Sequence, residues 1–371
     1  MKKLGFGAMR LPQIEADGQR VIDMETTKKM FDAYLAAGFT YFDTAYMYHG
    51  GKSETTLREL VVKRYPRDAF TITDKLPLSG KPGADEMEGI FNEQLARCGV
   101  DYFDYYWLHS VDRQNYEHAE KVGAFGFIQQ KKAEGKTKHI GFSYHDTAEL
   151  LDEILTAHPE VEYVQLQINY LDWEDEKIQS RKCYEVCRKF NKPVLVMEPV
   201  KGGSLVNLPE EAKKVLDDLH GGSPASYAIR FAAGFPGMMM VLSGMSDLEQ
   251  MKDNLSYMRD FKPLNETEMA AVNKVQEIFH KMNMIPCTAC RYCVEGCPKQ
   301  ISIPDLFAIM NIKQLHHDWN ADYYYEEVHT APGRRASDCL KCGKCEKICP
   351  QHLPIRKLLE EVAKEFDKPE A

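Results

Sequence analysis

The sequence has no run approaching 18 consecutive apolar residues, so no membrane-crossing helix and no membrane partner are expected. It also lacks a one-sided charge. Its 371 residues carry 47 Lys and Arg against 56 Asp and Glu, a net of −9. That balance disfavours nucleic acid as a partner. No secretory signal is expected either. The charged and then apolar start, residues 1–9, is cut short by Arg10 and Pro12 before it reaches the length of a signal's apolar region. A cytoplasmic location is the expectation. Cysteine is scarce through the first three quarters of the chain, where only Cys98, Cys183 and Cys187 occur. These read as small apolar residues. At 44% hydrophobic and 28% charged residues the chain is neither fibrous nor disordered. Its length allows two domains, or one barrel with an appendage.

The other 8 of the 11 cysteines lie beyond Ile285. The composition therefore changes at Asn283-Met284-Ile285-Pro286, which divides the chain into 1–283 and 284–371. Within the second part, Cys287, Cys290, Cys293 and Cys297-Pro298 follow the spacing C-x₂-C-x₂-C-x₃-C-P. Cys339, Cys342, Cys345 and Cys349-Pro350 repeat it. This is the bacterial ferredoxin run, in which the fourth cysteine ligates the other cluster. Two [4Fe–4S] clusters are expected in a ferredoxin-like α+β domain. Cys287, Cys290, Cys293 and Cys349 would hold one, and Cys339, Cys342, Cys345 and Cys297 the other. Structural zinc sites use separated ligand pairs, and disulfides are rare in a reducing compartment.

In the first part, apolar runs alternate with amphipathic stretches. Strands are expected at 4–9, 40–43, 70–75, 103–109, 139–143, 163–168, 193–197 and 238–243. Helices are expected at 26–37, 54–64, 84–98, 119–134, 147–158 and 174–190. Eight strands alternating with helices predict a (β/α)₈ TIM barrel of the α/β class. A doubly wound sheet would need a phosphate loop. Gly5-Phe6-Gly7 lacks its third glycine, and the first glycine required before Gly51-Lys52-Ser53 falls on Tyr46. In a barrel the chemistry gathers where strands end. Asp43, Lys75, His109, Ser143, Gln165, Glu198 and Ser243 fall there. His49 and His145 are expected to be exposed near the same mouth.

Asp43-Thr44-Ala45-Tyr46-Met47-Tyr48 with Gly50-Gly51-Lys52-Ser53-Glu54, Thr73-Asp74-Lys75-Leu76-Pro77, and Tyr106-Trp107-Leu108-His109 resemble the signatures of aldo-keto reductases. With the cysteine runs, the chain resembles the ferredoxin-bearing branch of that family. The resemblance covers about residues 1–280 and implies a catalytic tetrad of Asp43, Tyr48, Lys75 and His109. Tyrosine is a weak acid, with a pKa of about 10. A lysine ammonium 4 Å away is worth about 4 kcal/mol of gross Coulomb energy at an effective dielectric of 20, enough to bring the phenol toward working pH. Asp43 would hold Lys75, His109 would orient a carbonyl, and Tyr48 would be the acid in reduction and the base in oxidation.

The resemblance further implies a nicotinamide cofactor. Ser143 and Gln165 match residues that hold its amide. Met197 stands where many relatives stack an aromatic ring on the nicotinamide. Lys201, Gly202 and Gly203 match the loop over the pyrophosphate. Ser243 and Gly244 follow the eighth strand, and Asp253 and Asn254 match the contact with adenine. The basic residues that grip a 2′-phosphate in relatives align near Gly244 and Gln250, and neither is basic, so NADP(H) or NAD(H) is expected.

The expected function is an NAD(P)H-dependent interconversion of a small-molecule carbonyl and alcohol, with the clusters for electron transfer. A nicotinamide moves two electrons as hydride, whereas a cluster moves one. Coupling the two calls for a splitter such as FMN, which the groove is compatible with. A nucleotide-binding redox sensor and a reductase fed by a ferredoxin-type partner are the alternative readings.

Overall fold

The computed structural model describes residues 2–16, 18–282, 284–316, 320–330 and 334–367. Strand β1 (Leu4–Gly7) is followed by a hairpin, β2 (Gln13–Ala16) and β3 (Gln19–Ile22). Then come β4 (Tyr41–Asp43), β5 (Thr71–Pro77), β6 (Phe103–Val111) and β7 (Thr137–Tyr144). The last three are β8 (Tyr163–Gln167), β9 (Val194–Met197) and β10 (Met238–Ser243). All but the hairpin close into one parallel barrel, in the order β1-β10-β9-β8-β7-β6-β5-β4. Parallel strands are covered on both faces, which is why they read as continuous apolar runs. Every expected strand is present to within a few residues.

Helices differ more. The stretch expected as one helix at 119–134 is two, Arg113–Val122 and Ala124–Ala133. They meet at Gly123, whose φ of 74° ends the first one. The hairpin β2–β3 was not expected. Its residues are mostly exposed, so no buried face marks them in the sequence.

Side chains alternate between the two faces of a strand. One face of the barrel wall carries Tyr41, Tyr105, Trp107, Leu195, Met240 and Leu242, which form a single buried cluster. Two residues further along the same strands, the column turns polar: Tyr41 leads to Asp43, Trp107 to His109, and Tyr163 to Gln165. Thr73 to Lys75 and Gly141 to Ser143 continue it through the strand register. An aromatic plug thus floors a polar mouth. Ser243 is different. It is in register with Phe6, and Phe6 packs on Phe31 and Tyr34 of the helix Met24–Ala36. Ser243 therefore lies on the helix-facing side, one residue out of phase with the column, and not on the mouth side expected for a cofactor contact.

By contacts the chain forms two compact units: residues 1–199 with 225–266, and residues 200–224 with 267–371. In the second, the cysteine runs are the same structure repeated 52 residues later. Ala289 and Arg291 have left-handed backbones, as do Lys341 and Gly343. Each pair leads into a one-turn helix, Tyr292–Glu295 and Lys344–Lys347. Gln300 and His352 are left-handed again, and long helices follow, Ile303–His316 and Ile355–Phe366. Ile303, Leu306, Phe307, Ile355, Leu359, Val362 and Phe366 share one apolar core. Among the described residues after 267 there are helices and turns and no strand. The α+β expectation narrows to that: left-handed residues this closely spaced keep the runs from extending. The side chain of His316, and all of His317, lie outside the described residues.

Gly141 sits in the mouth column. A methyl group there would run into the Trp107 ring and the Tyr163 carbonyl. Gly141→Ala is expected to cost about 1–3 kcal/mol by overpacking, measured as a lowered midpoint in denaturant. An unchanged midpoint would mean that the plug yields.

Candidate active site

Strand β5 ends by burying a lysine. Lys75 has 1% of its side chain exposed and its partner Asp43 4%. The Lys75 Nζ donates to Asp43 Oδ1 at 2.6 Å and to the Thr44 carbonyl at 2.6 Å. Burial pushes the Asp43 carboxyl up, and the Lys75 ammonium offsets only part of that rise. Lys75 Nζ stands 5.0 Å from the centre of the Tyr48 ring. The Tyr48 ring meets the His109 ring edge-on, with centroids 5.9 Å apart. Burial, the Lys75 charge and His145 hold the His109 imidazole well below its usual pKa, so it is neutral. The four residues implied as a tetrad are therefore gathered at one point. His49 and His145 are half-buried rather than exposed. His49 Nδ1 lies 3.1 Å from Gln13 Nε2, on the hairpin.

Ser143 and Gln165 stand side by side in the register of β7 and β8. The Ser143 hydroxyl accepts from the Ser110 amide at 2.8 Å. Gln165 Oε1 is buried with no hydrogen-bond partner among the described residues. Asn254 Oδ1 is in the same position, while its amide donates to the Gln250 carbonyl. Such buried acceptors cost free energy unless a donor arrives. Asp253, beside Asn254, is half-buried. Met197 lies beside Gln167 in the β8–β9 register.

Other expected contacts are engaged elsewhere. Asp247 caps the helix Leu248–Met258, and the Gln250 side chain folds back on that cap, accepting from the Ser246 amide and donating to Asp247. Lys201, Gly202 and Gly203 belong to the second unit. There Gly202 is a close-packing point: a Cβ would collide with the Thr288 backbone, next to Cys287. The glycine is explained by that approach. Gly244 is overlain by the aliphatic stem of Arg10, whose guanidinium pairs with Glu198 at 3.6 Å. No basic residue flanks Gly244 in the sequence; in the fold Arg10 stands against it, supplied from the far end of the chain. The available signal was its place three residues past the end of β1.

A second buried network backs the lysine. Asp74 Oδ1 accepts from the Lys75 amide and from Gln94 Nε2, Cys98 donates its thiol to Asp74 Oδ2, and Tyr106 donates to Gln94. Glu54, 0% exposed, completes it and is bonded by Arg97 at 3.1 Å. Glu54, Asp74 and Cys98 bring ligand-type atoms within 4.8 Å of one another, and Arg97 supplies the positive charge there. Burial and the Asp74 carboxylate push the Glu54 carboxyl up to about 10, and burial pushes Asp74 up to about 6. The pair therefore holds a proton at neutral pH.

In the second unit, Cys297, Cys339, Cys342 and Cys345 line one pocket with Ile301, Ile303 and Leu359. The sulfurs around Cys293 are those of Cys290, Cys287, Cys349 and Cys345. Fourth cysteines thus cross over between the runs. The Ala289 and Lys341 amides point at the sulfurs of Cys287 and Cys339, at 3.5 and 3.4 Å. The donor set fits two cubane clusters.

The Glu54 proton has a measurable sign. A carboxyl held up in the fold binds a proton that the unfolded chain has released. Stability should fall as pH rises from about 6 to 9, by up to about 1.4 kcal/mol per unit. Glu54→Gln should flatten that slope in denaturant titrations. Parallel slopes for the two proteins would mean that Glu54 is ionised.

Residues 3–277 match the model of the Aldo/keto reductase family, and residues 286–353 that of a 4Fe-4S dicluster domain. An aldo-keto reductase of Strobilurus tenacellus is 25% identical over 315 residues, covering 75% of this chain and 89% of its own. A 9,11-endoperoxide prostaglandin H2 reductase of Trypanosoma cruzi is 25% identical, covering 73% and 89%. The alpha subunit of an acetyl-CoA decarbonylase/synthase complex of Methanosarcina acetivorans is 28% identical over 78 residues, covering 21% of this chain and 8% of its own. Among solved structures, an aldo-keto reductase from Klebsiella pneumoniae in complex with NADPH superposes with a TM-score of 0.57 at 20% identity, covering 74% of this chain and 90% of that one. One from Bacillus halodurans, in a holo form, gives 0.60 at 22%, covering 74% and 91%. These likenesses carry the barrel fold. Among the described residues no helix is long and apolar enough to cross a membrane. The family match spans well over half the sequence and ends before the first cysteine run: the chain belongs to the aldo/keto reductase family and carries a 4Fe-4S dicluster domain, which follows the barrel in the sequence.

Proposed function

We propose that the protein interconverts a carbonyl and an alcohol with a nicotinamide dinucleotide, and that its second part, 284–371, holds two [4Fe–4S] clusters for electron transfer. The observation that carries the reading is the buried Lys75–Asp43 pair, with Nζ 5.0 Å from the Tyr48 ring centre and a neutral His109 against that ring. Tyr48 is the proposed proton donor in reduction and acceptor in oxidation. The ammonium of Lys75 favours its phenolate, and Asp43 keeps that ammonium fixed. His109, uncharged, can donate a ring N–H to the substrate oxygen without competing for the proton.

The nicotinamide would supply the hydride. The residues offered for it are Ser143 and Gln165, because the unpartnered Gln165 Oε1 suits an amide N–H₂. The unpartnered Asn254 Oδ1 suits the adenine amine in the same way. NADPH is bound by the Klebsiella structure, and for this chain either dinucleotide is a candidate. Arg10 is the proposed contact to its anionic part, released from Glu198 on binding. The clusters would be held by Cys287, Cys290, Cys293 and Cys349, and by Cys339, Cys342, Cys345 and Cys297. A small-molecule substrate and a cytoplasmic location complete the reading.

Tyr48→Phe tests the proton role with 4-nitrobenzaldehyde as probe. Reduction should fall at least ~100-fold while dinucleotide binding, read by fluorescence quenching, stays. Full activity in the variant would remove Tyr48 from the mechanism. Arg10→Ala should raise the dinucleotide KM about tenfold with little change in kcat; an unchanged KM would leave Arg10 a purely structural partner of Glu198. Anaerobic reconstitution should yield about eight iron and eight sulfide per chain, and values near four would mean a single cluster.

A further inference from the structure

The two cysteine runs share a backbone but not a surface. Of the eight cysteines in them, Cys342 alone is exposed; its counterpart Cys290 is half-buried. Two large apolar side chains stand out on either side of it in the sequence, Leu340 at 60% and Ile348 at 42% exposure. Basic residues flank them in the sequence. Residues 338–357 contain Lys341, Lys344, Lys347, Arg356 and Lys357 against Asp338 and Glu346. The matching stretch of the first run, 286–305, is balanced, with Arg291 and Lys299 against Glu295 and Asp305. Within the basic stretch, Lys341 pairs with Glu360 and Arg356 with Glu346. Lys344 and Lys347 are exposed and have no ion pair among the described residues. A groove in the same stretch is lined by Lys341, Arg356 and Lys357 together with Glu346 and Glu360.

An apolar centre with a charged rim is the anatomy of a protein interface. Small, weak interfaces of this kind serve electron-transfer encounters. The sign of the rim selects the partner. The chain as a whole carries −9, so its overall charge repels acidic proteins. A positive patch held against that background attracts one locally and orients it.

We propose that the surface around Cys342, with Leu340 and Ile348 at its centre and Lys344 and Lys347 on its rim, is the docking site for an acidic one-electron carrier protein of the ferredoxin class. The electron passes at the cluster of Cys339, Cys342, Cys345 and Cys297. One electron leaves the reduced carrier, which is oxidised, and the cluster is reduced by one; no proton or bond is exchanged. The proposal rests on the cluster reading above. It adds which cluster meets the partner, through which surface, and what charge that partner bears.

The test uses the reconstituted full chain and an acidic plant-type [2Fe–2S] ferredoxin as probe. Binding of the oxidised probe is measured by calorimetry at low and at high salt. The wild-type affinity should fall as salt rises. K344E/K347E should weaken binding at least tenfold at low salt and approach the wild type at high salt. K121E/K274E, the same charge change outside the runs, should leave it within about twofold. Equal affinities for wild type and K344E/K347E would overturn the proposal, as would an equal loss in K121E/K274E. Stopped-flow reduction of the clusters by the reduced ferredoxin should slow in K344E/K347E in step with the affinity; an unchanged rate would contradict the port. Iron content and reduction by dithionite are followed in every variant. Their loss in the wild type would sink the cluster reading, whereas their persistence alongside an unaltered ferredoxin affinity in K344E/K347E would sink the docking site alone.

Discussion

A lysine with one hundredth of its side chain exposed sets the terms for the barrel mouth. An ammonium taken out of water costs several kcal/mol unless a carboxylate and further acceptors meet it. Lys75 is met by Asp43 and the Thr44 carbonyl, both at 2.6 Å. That requirement ties two neighbouring strands together, because the register sets Asp43 against Thr73, one inward position before Lys75, within reach of the lysine side chain. It also explains the layer beneath. The aromatic plug of Tyr41, Tyr105 and Trp107 keeps water from below, and a dry floor strengthens the pair that sits on it. Behind the lysine, Asp74 fixes its backbone amide and is itself restrained by Gln94, Cys98 and Glu54. The lysine can then act on Tyr48 and lower the affinity of His109 for a proton without moving.

Most of this was legible in the chain. Strand positions follow from apolar runs, and the tetrad from motifs at their ends. What was not legible depends on contacts between distant segments. Arg10 reaches Gly244 and Glu198 only because β1 and β10 are neighbours in the closed barrel, so a scan of the residues around Gly244 finds no base. Ser243 resembled a mouth residue by its place at a strand end, but a one-residue phase puts it with Phe6 on the other face. Gly202 resembled a phosphate-loop glycine. Its lack of a side chain is used by the Thr288 backbone, a contact across some 86 residues of chain that local sequence carries no trace of.

The cysteine unit was legible for a different reason. Its ligand spacing is covalent information, and its duplication recurs at every level: sulfur positions, left-handed turns, one-turn helices and the long helices that close the core. Its electrostatics are not duplicated. The two halves carry equivalent cysteine runs in unlike surroundings, one neutral and one basic.

The pH profile of kcat/KM for reduction of a model aldehyde tests the central claim most directly, compared between the wild type and Lys75→Met. If the buried ammonium sets the proton affinity of Tyr48, the wild type shows an apparent pKa below the ordinary tyrosine value of about 10. Removing the charge then shifts that inflection upward by one unit or more, with a fall in rate. The same inflection in both proteins, at whatever rate, would contradict the account, because the titrating group would then not sense Lys75.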